Sequence, residues 1–177
     1  SPLNETQPII SPDSKTLFFI RENSPDKYGV TNRNIMVSTL NADNTWSFAK
    51  NLGGVLSNKG ETGYSVMHDG KSLLLGNVYN KDGSVASGLS VSQKEESGWT
   101  YPEKITIKNF YTSNPSSTFF MSNDNKILLL SLERKNGFGG LDLYISLQKD
   151  KYTYSEPVNL GPEINTVADD CSPFLAA

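Results

Sequence analysis

An all-β chain of repeated antiparallel meanders is predicted by three observations. First, three segments align at a nearly constant period. Pro8-Ile-Ile-Ser-Pro-Asp13-Ser-Lys15-Thr-Leu-Phe-Phe-Ile20 matches Tyr64-Ser-Val-Met-His-Asp69-Gly-Lys71-Ser-Leu-Leu-Leu75 and Phe119-Phe-Met-Ser-Asn-Asp124-Asn-Lys126-Ile-Leu-Leu-Leu130, with Asp-x-Lys pairs 56 and 55 residues apart. Second, later landmarks keep step: Ser38, Ser92 and Ser146 recur at spacings of 54, and Trp46, Trp99 and Tyr154 at 53 and 55. Third, short runs of Ile, Leu, Val and Phe alternate with turn formers, and no stretch sustains the 3.6-residue apolar period of a helix.

The elements of one copy follow in order. The turns Pro12-Asp13-Ser14-Lys15, His68-Asp69-Gly70-Lys71 and Asn123-Asp124-Asn125-Lys126 each join two apolar runs. Gly and Asn accept the positive φ of a tight hairpin, whereas Ser14 fits less well and predicts a different turn type there. The second runs (Leu17–Ile20, Leu73–Leu75, Ile127–Leu132) are almost continuously apolar, as in a strand covered on both faces. A third strand alternates, as in Leu143-Tyr-Ile-Ser146. A loop then leads to the aromatic residue and a short last strand near Lys50–Gly53, Glu103–Ile107 and Pro157–Gly161.

Four meander-connected strands in roughly 55 residues describe one blade of a β-propeller. A β-sandwich would leave the period unexplained, and parallel β-helices use much shorter repeats. The expected fold is therefore an all-β partial β-propeller, with three four-stranded antiparallel blades plus the first strand of a fourth. It forms one incomplete domain over 1–177, with repeats at 4–59, 60–113 and 114–167 and a stub at 168–177. Propellers usually close with four to eight blades. The open side is thus expected to meet the remaining blades of a longer parent, or another copy. Trp46, Trp99 and Tyr154, being in phase with the blades, are expected to pack between adjacent sheets.

Composition excludes several functions. The 177 residues carry a net charge of −3, with a pI near 5.2 and a mean hydropathy of −0.42. These values argue against a nucleic-acid or anionic-membrane surface. No run approaches the roughly 20 apolar residues of a membrane-spanning helix. The single Cys171 and single His68 exclude an internal disulfide, a cysteine-built zinc site and multi-histidine metal centres.

Candidate chemistry is sparse. His68 sits at a turn and has no Gly-x-Ser-x-Gly elbow to serve. Gly137-Phe-Gly139-Gly140 lacks the third Gly of a dinucleotide fingerprint and a following Lys-Ser/Thr, so it reads as a flexible loop. The Asp turns resemble the repeated Asp-box of sialidases, but the matching Gly-x-Thr-Trp is missing. Arg21, Arg33 and Arg134 fall at non-equivalent repeat positions, which counts against a carboxylate-binding cluster. Asn77-Val-Tyr-Asn80-Lys-Asp82-Gly83 and Asn123-Asp124-Asn125 lack a complete calcium ligand set and read as turns. Asp169 and Asp170 read as a solvated loop, and Lys15, Lys71 and Lys126 as a solvated row. Cys171 is expected to be buried in an intact parent. No residue is assigned a catalytic, cofactor-binding or metal-binding role.

The repeat wording is specific. Ser11-Pro12-Asp13-Ser14-Lys15, Gly139-Gly140-Leu-Asp142-Leu-Tyr144-Ile-Ser146, Tyr154-Ser155-Glu-Pro157-Val-Asn159-Leu160-Gly161 and Ile164-Asn165-Thr166 follow one another in that order. The pattern resembles the PD-type, TolB-like propeller repeats of bacterial cell-envelope proteins, and in particular the propeller region of OmpA-family proteins. The resemblance implies a periplasmic or outer-membrane-associated location. The expected function is a non-enzymatic envelope module that scaffolds or binds a protein, peptide or glycan through inter-blade loops. The alternative is the propeller of a hydrolase, either a sialidase-like glycosidase or a serine peptidase. A third reading is a sensor ectodomain.

Overall fold

The computed structural model describes residues 3–25, 31–53, 56, 64–66 and 70–175. Among them there is no α-helix, and the chain forms three consecutive four-stranded antiparallel blades, the second and third joined edge to edge by a short parallel pairing. Blade 1 is β1 (Glu5–Ile10), β2 (Thr16–Pro25), β3 (Thr31–Thr39) and β4 (Lys50–Asn51). Blade 2 begins with β5 (Tyr64–Val66), β6 (Ser72–Tyr79) and β7 (Val85–Glu95). After the two-residue β8 (Gly98–Trp99), which pairs with the end of β7, β9 (Glu103–Ile107) closes it. Blade 3 is β10 (Thr118–Met121), β11 (Ile127–Leu132), β12 (Asp142–Asp150) and β14 (Val158–Asn159), with β13 (Thr153–Tyr154) paired to the end of β12. The first strands touch in sequence, β1 with β5 and β5 with β10, so the sheets fan out from one side. The fold is a partial β-propeller.

Alternation along the second strands builds the packing. In β6, Leu73 and Leu75 face blade 1, where they are buried with Phe18, Ile20, Ile35 and Leu56. Leu74 between them faces blade 3 and is buried with Leu128, Leu130, Leu132, Tyr144 and Tyr154. Side chains two residues apart share a face and neighbours oppose. A strand apolar at every position must therefore be covered on both sides, which explains the continuous Leu run.

The first hairpin turns correct one expectation. Ser14 has φ +59, the same conformation as Gly70 (+63) and Asn125 (+62), so the left-handed position recurs in all three copies. A non-glycine residue there costs roughly 1–2 kcal/mol, and a local network offsets it. The Ser11 hydroxyl donates to Asp13 Oδ1 (2.5 Å), Lys15 N–H donates to the same oxygen (3.0 Å), and Thr16 N–H donates back to Ser11 Oγ (2.9 Å). Ser122, Asp124, Lys126 and Ile127 repeat the arrangement in blade 3. In the second copy Met67 replaces the serine; Met67, His68 and Asp69 lie outside the described residues.

Ser172 and Phe174 lie beside β10 without a ladder of their own. Ser172 N–H donates to Thr118 Oγ1 (2.9 Å), and Phe174 meets Phe120 edge-on at 5.0 Å. A segment placed as a blade's first strand needs a second strand to pair with, and none adjoins it among the described residues.

Candidate functional site

The in-phase landmarks have definite jobs. Ser38, Ser92 and Ser146 are buried, and their hydroxyls donate to the carbonyls of Ser47 (2.7 Å), Thr100 (2.7 Å) and Ser155 (2.5 Å). Each acceptor directly follows the aromatic landmark, so one hydroxyl per blade pins the aromatic against the sheet. Trp99 then meets Phe18 of blade 1 at 6.4 Å, edge to face. Tyr154 is 2% exposed, and its hydroxyl donates to the Asn125 carbonyl (2.7 Å). Burial pushes the phenol up to about 12. Both therefore pack between sheets as the sequence predicts. Trp46 is 42% exposed and Phe48 97% exposed, since among the described residues no sheet covers that side of blade 1.

The arginines do not converge. Arg21 pairs with Glu5 (2.9 Å) and Arg33 with Glu22 (3.3 Å), both within blade 1. Arg134 lies over the Tyr111 ring at 4.3 Å and donates to the carbonyls of Asn109 (3.0 Å) and Pro157 (3.3 Å). The Asp/Asn-rich segments are turns: Ser84 N–H and Oγ–H both donate to Asp82 Oδ1, as Thr45 does to Asp43. These hydroxyl bonds hold the Asp82 and Asp43 carboxyls below their ordinary range. Lys15, Lys71 and Lys126 are exposed, Lys126 beside Asp124 at 3.4 Å. Cys171 is free and exposed. His68 lies outside the described residues.

One reading of the glycine loop region changes. Gly137-Phe-Gly139-Gly140 wraps the buried Asp142 carboxylate, which accepts from Phe138 N–H (2.7 Å), Gly139 N–H (3.2 Å) and Asn159 Nδ2 (3.0 Å). A Cβ on Gly137 would strike that carboxylate, and one on Gly139 would strike the Ala168 and Thr166 carbonyls. The segment is a fixed cradle for a carboxylate of the same chain, and close approach is what demands glycine. Asp169, exposed as expected, and Asp170, half-buried, also bond the backbone: Asp169 accepts from Leu141 N–H (2.8 Å) and Asp170 from Thr166 N–H (2.6 Å).

The feature with the shape of a binding site lies between blades 2 and 3. It is a cleft of about 210 Å³. Gly76 and Gly88 of blade 2 form one wall, Leu130 and Leu132 of β11 face them, and Phe110 and Pro115 of the inter-blade connection close it. None of the lining side chains is titratable. The cleft can hold a ligand by apolar contact and hydrogen bonding, but it has no acid, base or ionised nucleophile to offer. Sequence reasoning missed it, although one signal was available: glycine stands in the second copy where the first has Ile20.

No family model matches the chain, and no curated protein matches it. Among solved structures, a puromycin hydrolase mutant in complex with PGG is similar over 90% of this chain and 22% of its own, with 13% identity and a TM-score of 0.55. The β-propeller domain of the Trilobed protease from Pyrococcus furiosus, described as having an open velcro topology, is similar over 89% and 43%, with 17% identity and a TM-score of 0.47. An acylaminoacyl peptidase from Pyrococcus horikoshii is similar over 89% and 25%, with 18% identity and a TM-score of 0.42. This chain thus spans about a fifth of the puromycin hydrolase chain and less than half of the other two.

The matches support a propeller fold and correct the functional expectation. The match with a TM-score above 0.5 is to a hydrolase, which turns the expectation away from a non-enzymatic envelope scaffold. The hydrolase alternative is the one carried forward. The enzymes are matched over only part of their length, so the likeness concerns the propeller part.

Proposed function

We propose that this chain is the propeller portion of a hydrolase, positioned to hold or admit substrate beside a catalytic unit outside 1–177. The observation that supports this is the fold match with puromycin hydrolase, which covers 90% of this chain at a TM-score of 0.55. The uncharged cleft agrees with it, since such walls bind a ligand and leave bond cleavage to other residues. Labelling the intact gene product with a serine-directed fluorophosphonate, and assaying it on aminoacyl p-nitroanilides, tests the assignment. The expected result is amide hydrolysis and a labelled serine outside 1–177. Absence of both activity and label overturns it.

Two further proposals accompany this one. The repeat wording supports TolB-like kinship and a periplasmic or outer-membrane-associated location. The exposed Trp46 and Phe48 support a further blade of the same repeat as the partner for the open face of blade 1.

A further inference from the structure

The cleft lies where the repeat departs from its own pattern. Aligned on the turn aspartates, Gly76 occupies the place of Ile20; aligned on the third-strand serines, Gly88 occupies the place of Asn34. Ile20 is 1% exposed and fills the seam between blades 1 and 2, and Asn34 is fully buried. The second copy lacks both side chains, and about 210 Å³ stays open at the equivalent depth in the next seam. The backbone is shaped to match. Gly88 has φ +145, and a Cβ there would come within 2.7 Å of Val78 Cγ2. Asn77 is held at φ +82, with its carbonyl bonded to the Ser90 hydroxyl at 2.9 Å. The register shifts between Gly76 and Val78, a bulge of the kind that re-aims side chains beside binding sites.

We propose that this cleft is a socket for one neutral, apolar side chain of a peptide. Size sets the first limit. A cavity of about 150 Å³ is enough for benzene, and drug-sized ligands occupy roughly 300–1,000 Å³. The space available suits a Leu or Phe side chain and excludes a cofactor. Chemistry sets the second limit. The polar groups of the connection are already engaged: the Thr112 and Ser117 hydroxyls lie 2.9 Å apart, and Asn114 Nδ2 donates to Glu133 Oε2 at 3.1 Å. The walls therefore present carbon, and a charged side chain would lose its hydration without gaining a counter-ion. Ser87, exposed beside the cleft, carries a hydroxyl without a partner among the described residues, available to the backbone of the bound peptide.

The inference rests on the hydrolase reading in naming a peptide as the ligand, but its test needs only this chain. Residues 1–177 are titrated with N-acetyl-leucinamide, N-acetyl-phenylalaninamide and the corresponding Lys and Glu amides, followed by amide NMR shifts. Saturable shifts in residues 76–89 and 110–119 are expected for the Leu and Phe compounds, with the charged ones weaker by about tenfold or more. Gly76→Ile restores the missing volume and abolishes binding. Ala86→Trp, at an exposed lining position, does the same should the first variant fail to fold. No saturable binding, equal binding of the charged amides, or binding that survives both substitutions overturns the socket. Failure here leaves the fluorophosphonate result on the intact protein untouched, and the reverse also holds.

Discussion

The seam between blades 1 and 2 and the seam between blades 2 and 3 come from the same repeat and are closed by different means. In the first, Ile20, Leu73 and Leu75 fill the interior and Trp99 meets Phe18 edge-on. Among the described residues no ladder joins those two sheets. In the second, Gly76 leaves the interior short of a side chain, and backbone bonds lace the outer edge. Thr106 N–H donates to the Tyr152 carbonyl (2.8 Å) and Lys108 N–H to that of Tyr154 (3.2 Å), as β13 runs parallel to β9. Gln93 Nε2 adds a bond to the Tyr152 hydroxyl (2.9 Å). A repeated position can thus supply packing volume in one copy and leave room in the next, provided another part of the seam holds the sheets together.

The largest expected effects come from truncating the leucines of each seam. Leu75→Ala and Leu130→Ala remove fully buried side chains, and each is expected to cost about 2–5 kcal/mol in urea unfolding. The comparison sharpens if amide exchange rises selectively, in β2 and β6 for Leu75→Ala and in β6 and β11 for Leu130→Ala. Equal loosening of both seams by either variant would show that they are one cooperative unit, and the contrast would collapse.

An intermediate effect is expected at Tyr154. Tyr154→Phe strands the Asn125 carbonyl, at a cost of about 1–3 kcal/mol for an unsatisfied buried group. It also changes the alkaline limb. Burial holds the folded phenol near 12 against an ordinary value of 10, so the folded state retains a proton that the unfolded state releases. That stabilisation is complete below pH 10 and declines as pH rises through 10 to 12. Tyr154→Phe should flatten this decline in stability-against-pH curves, whereas Trp99→Phe in the other seam should keep it.

Much of the architecture was legible because a period of about 55 residues repeats both the strand pattern and the residues that pin it. Ser38, Ser92 and Ser146 could be aligned without any structure, and they proved to make one bond per blade. Where the sequence misled, the cause was distance. Asn159, which bonds Asp142, and Thr166, Ala168 and Asp169, which crowd Gly139 and Gly140, reach the glycine loop only after the chain has turned back, so the segment read as free rather than as a cradle. Ser14 read as a poor turn residue because the hydroxyl that supports the turn belongs to Ser11, three residues earlier. The cleft is written in the sequence only as a difference between copies, Gly76 against Ile20, whereas a repeat is recognised by its agreements. Function suffered most: repeat wording follows the scaffold that the strands need, and a propeller needs that scaffold whether or not an enzyme surrounds it.

The smallest expected effect lies in the hairpin turns, and it asks whether blades 1 and 3 are alike at their inner ends although their seams differ. Asp13 and Asp124 are both held below the ordinary carboxylate value of 3.8, chiefly by the hydroxyls of Ser11 and Ser122 and then by the N–H groups of Lys15 and Lys126. A carboxyl whose folded value is depressed stabilises the fold above its unfolded value and loses that contribution as pH falls through the folded one. The turns should therefore weaken below about pH 4. Ser11→Ala and Ser122→Ala should each raise the titration midpoint of the neighbouring aspartate, by similar amounts, in carboxyl NMR titrations. Unequal shifts would mean that the turn reports on its seam. Equal shifts would assign it to the local Ser-x-Asp-x-Lys sequence, which is the outcome expected from hydrogen bonds spanning only two to five residues.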